Sequence, residues 1–191
     1  KYNALPGDMT TAYNFFGDAC GTNTTDRILG CNGDGDTRLF LTLGENVKFW
    51  EHLAAARLIA NKGYDIAGVD DVLGRIGFTP DNLPSSKFPE GYWLPESDLT
   101  EMPFNGPTPD YSNAGIFLQI GTLNTPPEGA VLNYLFSLSV GEAWVLDMKA
   151  DDGQANTGNM RGDLRADCND NGADYYNVTT LGADTTGQCS L

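Results

Sequence analysis

Histidine is nearly missing from this 191-residue chain, which has a single one, His52. Hydrolases that activate a Ser or Cys nucleophile with imidazole need a histidine beside it. No nucleophile can be assigned to His52, which falls next to Glu51 on the polar side of a helical stretch and reads as a surface or capping residue. Basic residues are scarce as well: 11 Lys and Arg against 26 Asp and Glu leave a net charge of −15. Between Phe88 and Met148 there is no Lys or Arg, only the eight acids Glu90, Glu96, Asp98, Glu101, Asp110, Glu128, Glu142 and Asp147. Such a surface repels a phosphate backbone and an anionic membrane, so direct nucleic-acid binding is not expected. Long apolar runs are absent too. Ile116–Leu118 and Ala143–Leu146 fall far short of the roughly 18 residues that a spanning helix needs. There is no signal-peptide pattern, no glycine-rich phosphate loop, no internal repeat and no low-complexity tract, so nucleotide cofactors have no support. Glycosidase-like carboxylate pairs stay open, because 26 acids make many pairs and a sequence gives no distances.

What is present is a globular composition with many turns. The apolar share is 40%, and 23 Gly with 10 Pro make it loop-rich. The length suits one domain with its own core, taken as residues 1–191 with an irregular insertion over about 62–111. Four cysteines allow three pairings. Local closure, Cys20 with Cys31 and Cys168 with Cys189, is favoured because each pair bounds a short loop of Gly, Asn, Asp and Thr. Zinc is the rival, but neither spacing is that of a zinc ligand pair and His52 lies elsewhere. Disulfides place the chain in an oxidising compartment: periplasm, cell surface or medium.

Apolar spacing predicts few regular elements. Pro6-Gly7-Asp8 stops any helix, and Met9–Phe16 suits one or two helical turns ending at Gly17. Glu45–Ala60 is the best helix, with Val47, Trp50, Leu53, Ala54 and Leu58 on its apolar face and Lys48, Glu51 and His52 on its polar side. Thr42 and Glu45 suggest a capping box, and so do Ser139 and Glu142 ahead of a short helix to about Met148. Strands are expected near Gly91–Leu94 and over Ala114–Leu123, while periodicity leaves Val131–Leu138 open. As a strand, Tyr92-Trp93 would turn one ring inward and the next outward.

Three acidic clusters are candidates for a hard cation, since calcium takes six to eight oxygens from tight, oxygen-rich turns. Asn32-x-Asp34-x-Asp36 offers oxygens at alternate positions, but Thr37 stands where a calcium loop has Gly and Leu43 where it has its closing Glu. Asp167-x-Asn169-x-Asn171-Gly172 matches the first half of such a loop more closely and ranks first, with Val178 at the closing position. Asp147, Asp151 and Asp152 meet where a helix ends, and the helix dipole there favours a cation or an Arg partner. The plain alternative is that Asp, Asn and Gly simply form turns.

Tyr2-Asn3-Ala4-Leu5-Pro6-Gly7-Asp8-Met9 resembles the segment that follows the long N-terminal helix in bacterial type IV pilin-like and type II secretion pseudopilin-like proteins. The likeness continues through Asn32–Asp36, Phe49-Trp50-Glu51-His52-Leu53, Gly91-Tyr92-Trp93-Leu94, Asp147–Gly153, and a tail from Cys168 through Tyr176-Asn177 to Cys189-Ser190-Leu191. Gln154 departs from the proline usual in that group, and the segment between Lys62 and Gly91 matches nothing in it. The resemblance implies an α+β pilin-like head: the end of a long N-terminal helix packed on an antiparallel sheet, with a C-terminal disulfide-bounded loop. It implies a structural, non-enzymatic subunit of an extracellular or periplasmic filament, partnered by copies of itself and minor pilins. Before assembly such a subunit is held in the membrane by a helix that would precede Lys1, itself following a leader. Calcium in the heads of related pseudopilins adds to the case for that ion. The alternative is a secreted calcium-dependent carbohydrate-binding or adhesion module.

Overall fold

In the computed structural model, the described residues are 2–20, 30–40, 44–60, 69–70, 75–76, 81–88, 91–97, 116–123, 134–135, 138–155, 157–160 and 188–189. They form a mixed α+β arrangement. In chain order come α1 (Ala12–Phe16), a 3₁₀ turn (Gly17–Cys20), α2 (Glu45–Ala55), β1 (Val69–Asp70), β2 (Arg75–Ile76), β3 (Gly91–Glu96) and β4 (Phe117–Leu123). β5 (Tyr134–Leu135), β6 (Leu138–Ser139), α3 (Val140–Ala150) and β7 (Gln188–Cys189) follow.

The central sheet has the order β3-β4-β5 and is antiparallel throughout, with Trp93 opposite Ile120 and Leu94 opposite Gln119. Neighbouring side chains of a strand point to opposite faces. Leu94 accordingly joins Val47, Trp50 and Ala54 of α2 and Leu83 in one core. Ile120, with Trp93 packed alongside, joins Leu138, Val140, Ala143 and Ala155 around α3 in a second. With a helix-bearing core on each face, both rings of Tyr92-Trp93 are half-buried rather than one in and one out. Each fully buried Leu or Val in these cores contributes roughly 1.5–3 kcal/mol. A third cluster gathers Met9, Ala12, Cys20 and Cys31, with Tyr2, Tyr13, Phe16 and Ala55 against it.

The expected pilin-like layout is corrected at its disulfide, while the helix stop and the short helix ending at Gly17 are as read. Residues 2–11 make turns, with Asn3 at φ 48° and Gly7 at φ 89°, and the first helix has only five residues before Gly17 ends it. The physical cause is the Pro6-Gly7-Asp8 turn, where the Asp8 amide donates to the Leu5 carbonyl at 3.2 Å and reverses the chain. The disulfide that the structure describes is Cys20–Cys31, near the N-terminus, rather than one that bounds a C-terminal loop. Its Cα atoms are 5.0 Å apart, and closing a loop of this length restricts the unfolded chain by about 3 kcal/mol. Cys189 lies in β7, where it pairs with Leu138 of β6, while Cys168 lies outside the described residues.

Helix α2 is shorter than expected. It ends at Ala55, Arg57 takes φ 61°, and Leu58 is 70% exposed instead of belonging to the apolar face. Its N-cap is Gly44 in the left-handed region, without a side-chain cap. Its polar side is the larger surprise: Lys48, Glu51 and His52 are all buried, because loops pack where solvent was expected. The second capping box is present as read. The Ser139 side chain accepts from the Glu142 amide at 3.3 Å, and the Glu142 carboxylate accepts from the Ser139 amide at 2.9 Å. The Ser139 amide and hydroxyl, both donating to that carboxylate, hold the Glu142 carboxyl below its ordinary value. Within the 62–111 excursion lie β1, β2, β3 and the core residue Leu83. Among the described residues no helix is long and apolar enough to cross a membrane. Ser139→Ala removes the α3 cap and is expected to lower unfolding free energy by about 1 kcal/mol in urea denaturation, while Ser139→Asp restores it.

Candidate metal centre

Three backbone segments cross at one point. The turn ending at Asp8 lies under the loop from Asn32 to Phe40, and both abut the start of α2. Gly33 donates its amide to the Met9 carbonyl at 3.0 Å. A Cβ on Gly33 would collide with the Asp8 Cα, and one on Gly7 with the Glu45 carbonyl oxygen. Only glycine permits such contact between backbones.

This crossing collects Asp8, Asp34, Asp36 and Glu45, each presenting a carboxylate oxygen within 4.8 Å of the others. Asp8 and Glu45 are buried, Asp34 is half-buried and Asp36 is exposed, so the group runs from a closed floor to an open rim. Backbone amides hold the floor. Asp8 Oδ1 accepts from the amides of Gly35 at 2.5 Å and Asp36 at 3.1 Å, and its Oδ2 accepts from Thr37 at 2.8 Å. Glu45 Oε1 accepts from the Asp34 amide at 3.1 Å, and Oε2 from the Phe40 amide at 3.0 Å. Glu45 thus does not close a capping box but ties the loop to α2. Thr37, standing where a calcium loop has Gly, takes the left-handed φ of 71° that a glycine would adopt freely. Behind the loop, Lys48 Nζ donates to the Asn32 carbonyl at 3.0 Å, and Asn32 Oδ1 accepts from the Tyr13 amide at 2.9 Å.

Burial, outweighing the amide donors and reinforced by Asp34 and Asp8, pushes the Glu45 carboxyl up from 4.5 to about 7. Asp8 is raised in the same way, by burial and then by Asp36 and Asp34. A group of acids that resists ionisation when empty gains most from a cation, and oxygen donors of this kind suit a hard ion. The carboxylates can coordinate a metal ion.

His52 sits at the back of this crossing, buried. Its Nδ1 accepts from the Gly7 amide at 2.8 Å, and its Nε2 lies 2.7 Å from the Cys31 carbonyl. Burial chiefly, with the Lys48 charge adding, lowers it from 6.5 to about 4, so it is neutral at ordinary pH. With both ring nitrogens engaged by backbone, it has none left to activate a nucleophile.

Among the sequence-derived candidates, the structure brings Asp34 and Asp36 together and adds Asp8 and Glu45. In the sequence Asp8 reads as part of a helix stop and Glu45 as a cap. Asp147, Asp151 and Asp152 also converge within 4.8 Å, from buried to exposed. Their oxygens organise the turn after α3. Asp147 Oδ1 accepts from the Gly153 amide at 3.0 Å, Asp152 Oδ1 from Gln154 at 2.9 Å, and Asp151 Oδ2 from the amides of Asn159 and Met160. Asp167, Asn169 and Asn171, the first-ranked cluster, lie outside the described residues. No protein-family model, curated protein or solved structure matches the chain.

Glu45 and His52 pull the pH dependence of stability in opposite directions. Between pH 4.5 and about 7 the unfolded chain has released the Glu45 proton that the folded chain keeps, so stability falls as pH rises. Between about 4 and 6.5 the unfolded chain binds a His52 proton that the folded chain refuses, so stability rises with pH. In cation-free urea titrations, Glu45→Gln is expected to expose the rising limb and His52→Gln the falling one. Parallel curves for both variants and the parent would contradict these assignments.

Proposed function

We propose that the chain is a calcium-dependent binding module of the carbohydrate-recognising or adhesive type, working outside the cytosol. One observation carries the reading: four carboxylates from three separate segments converge within 4.8 Å, two of them in the protein interior. Acids that far apart in sequence do not meet in the course of forming one local turn. Calcium suits the group better than magnesium because it tolerates irregular, oxygen-only surroundings, whereas magnesium demands a near-octahedral shell. The ion would neutralise the crossing and lock the Asn32–Arg38 loop to the Asp8 turn and α2.

The Cys20–Cys31 disulfide and the net charge of −15 support a place outside the reducing cytosol. The engaged nitrogens of His52 support a binding role rather than a catalytic one. An open hollow of about 510 Å³ beside α3, lined by Phe88, Trp144, Val145 and Leu146 with Ser139 and Glu142 at its polar edge, offers aromatic rings to a ligand. The filament reading rests on the sequence resemblance alone.

Calcium at roughly a hundred times its dissociation constant is expected to raise the thermal midpoint by about 5–10 °C over excess chelator. Asp34→Asn with Asp36→Asn is expected to abolish that shift, and Asp151→Asn to leave it. Equal midpoints with calcium and with chelator would contradict the proposal. A glycan array probed with and without calcium then tests the ligand class.

A further inference from the structure

The Cys31 carbonyl and the Gly7 amide belong to the two segments that carry the acidic group. Cys31 opens the loop that supplies Asp34 and Asp36, and Gly7 precedes Asp8. One side chain from a third segment joins them. Because Nδ1 accepts the Gly7 N–H, the imidazole proton must sit on Nε2, where it is donated to the Cys31 carbonyl. The other tautomer would set donor against donor at Gly7 and acceptor against acceptor at Cys31, and turning the ring over would put carbon at both contacts. It is 3% exposed, and the Phe16 ring, 5.6 Å away between centroids, packs against it. The distance between the Asp8 turn and the start of the loop is therefore set by the width of one imidazole.

We infer that His52 is a positioning residue of the acidic centre: by accepting the Gly7 amide, with its ring oriented by the Cys31 carbonyl, it fixes Asp8 opposite the amides of Gly35, Asp36 and Thr37. The disulfide alone cannot do this. It ties Cys31 back to the 3₁₀ turn at Cys20, not to the Pro6-Gly7-Asp8 turn. The consequence for calcium affinity rests on the cation reading above; the consequence for the loop amides does not.

The two contacts can be kept one at a time. An Asn side chain places its carbonyl oxygen near the position of Nδ1 and accepts from Gly7. A Gln side chain carries its amide nitrogen toward the position of Nε2 and donates to Cys31. Leu makes neither bond. The test measures amide hydrogen exchange at Gly35, Asp36 and Thr37, and calcium affinity by titration calorimetry, on the full chain with Cys20–Cys31 oxidised. His52→Gln and His52→Leu are expected to speed exchange at these three amides at least tenfold and weaken calcium at least tenfold. His52→Asn, which retains the Gly7 contact, is expected to stay within about threefold of the parent in both.

If His52→Leu fails to fold, the Asn and Gln pair still decides. Equal effects of the two, or exchange at the three amides unchanged in Gln, overturn the inference. If the parent chain binds no calcium, the cation reading falls, and the exchange rates alone judge the role of His52.

Discussion

Everything near the acidic centre depends on the close crossing of the Asp8 turn, the 32–40 loop and the first turn of α2. Gly7 and Gly33 let three backbones touch, and the amides that this contact exposes are given carboxylates to bond. The arrangement is circular in a useful way. Buried amides need acceptors, Asp8 and Glu45 supply them, and supplying them drives negative charge into the interior. A proton or a cation is then needed to neutralise it. Burial raises the carboxyls of Asp8 and Glu45, which is the cost of that interior charge.

His52 belongs to the same logic from the other side. A neutral ring that accepts at one nitrogen and donates at the other satisfies one backbone amide and one carbonyl without adding charge. Lys48, its neighbour one turn earlier on α2, donates to the Asn32 carbonyl and keeps the positive charge on the loop side. The helix thus serves two masters. Val47, Trp50 and Ala54 build the apolar core against Leu94, while Glu45, Lys48 and His52 organise the loops. This is why its polar stripe is buried, and why its hydrophobic pattern alone misplaced that stripe in solvent.

Local signals were legible in the sequence where a single stretch decided the outcome. Ser139 and Glu142 are three residues apart and form their capping box whatever lies elsewhere. The Cys20–Cys31 pairing follows from the short polar loop that the two cysteines bound. The strands around Trp93 and Ile120 followed from apolar, β-favouring runs. Convergence from a distance was not legible. Asp8 and Asp36 are 28 residues apart, and nothing in either stretch says that they meet. The clue was the pair of glycines at positions 7 and 33, each flanked by turn formers and each able to admit another backbone. The layout implied by the likeness to a pilin head differs at the disulfide, which closes Cys20 to Cys31 near the N-terminus, because short motifs in order say little about which loops are tied.

The claim that a metal ion belongs among Asp8, Asp34, Asp36 and Glu45 is tested most directly by anomalous diffraction from crystals grown with a lanthanide in place of calcium. The account predicts one strong peak within coordination distance of all four carboxylates, with the loop amides still bonded to Asp8. A peak confined to Asp147, Asp151 and Asp152, or none at the crossing of the three segments, would contradict it.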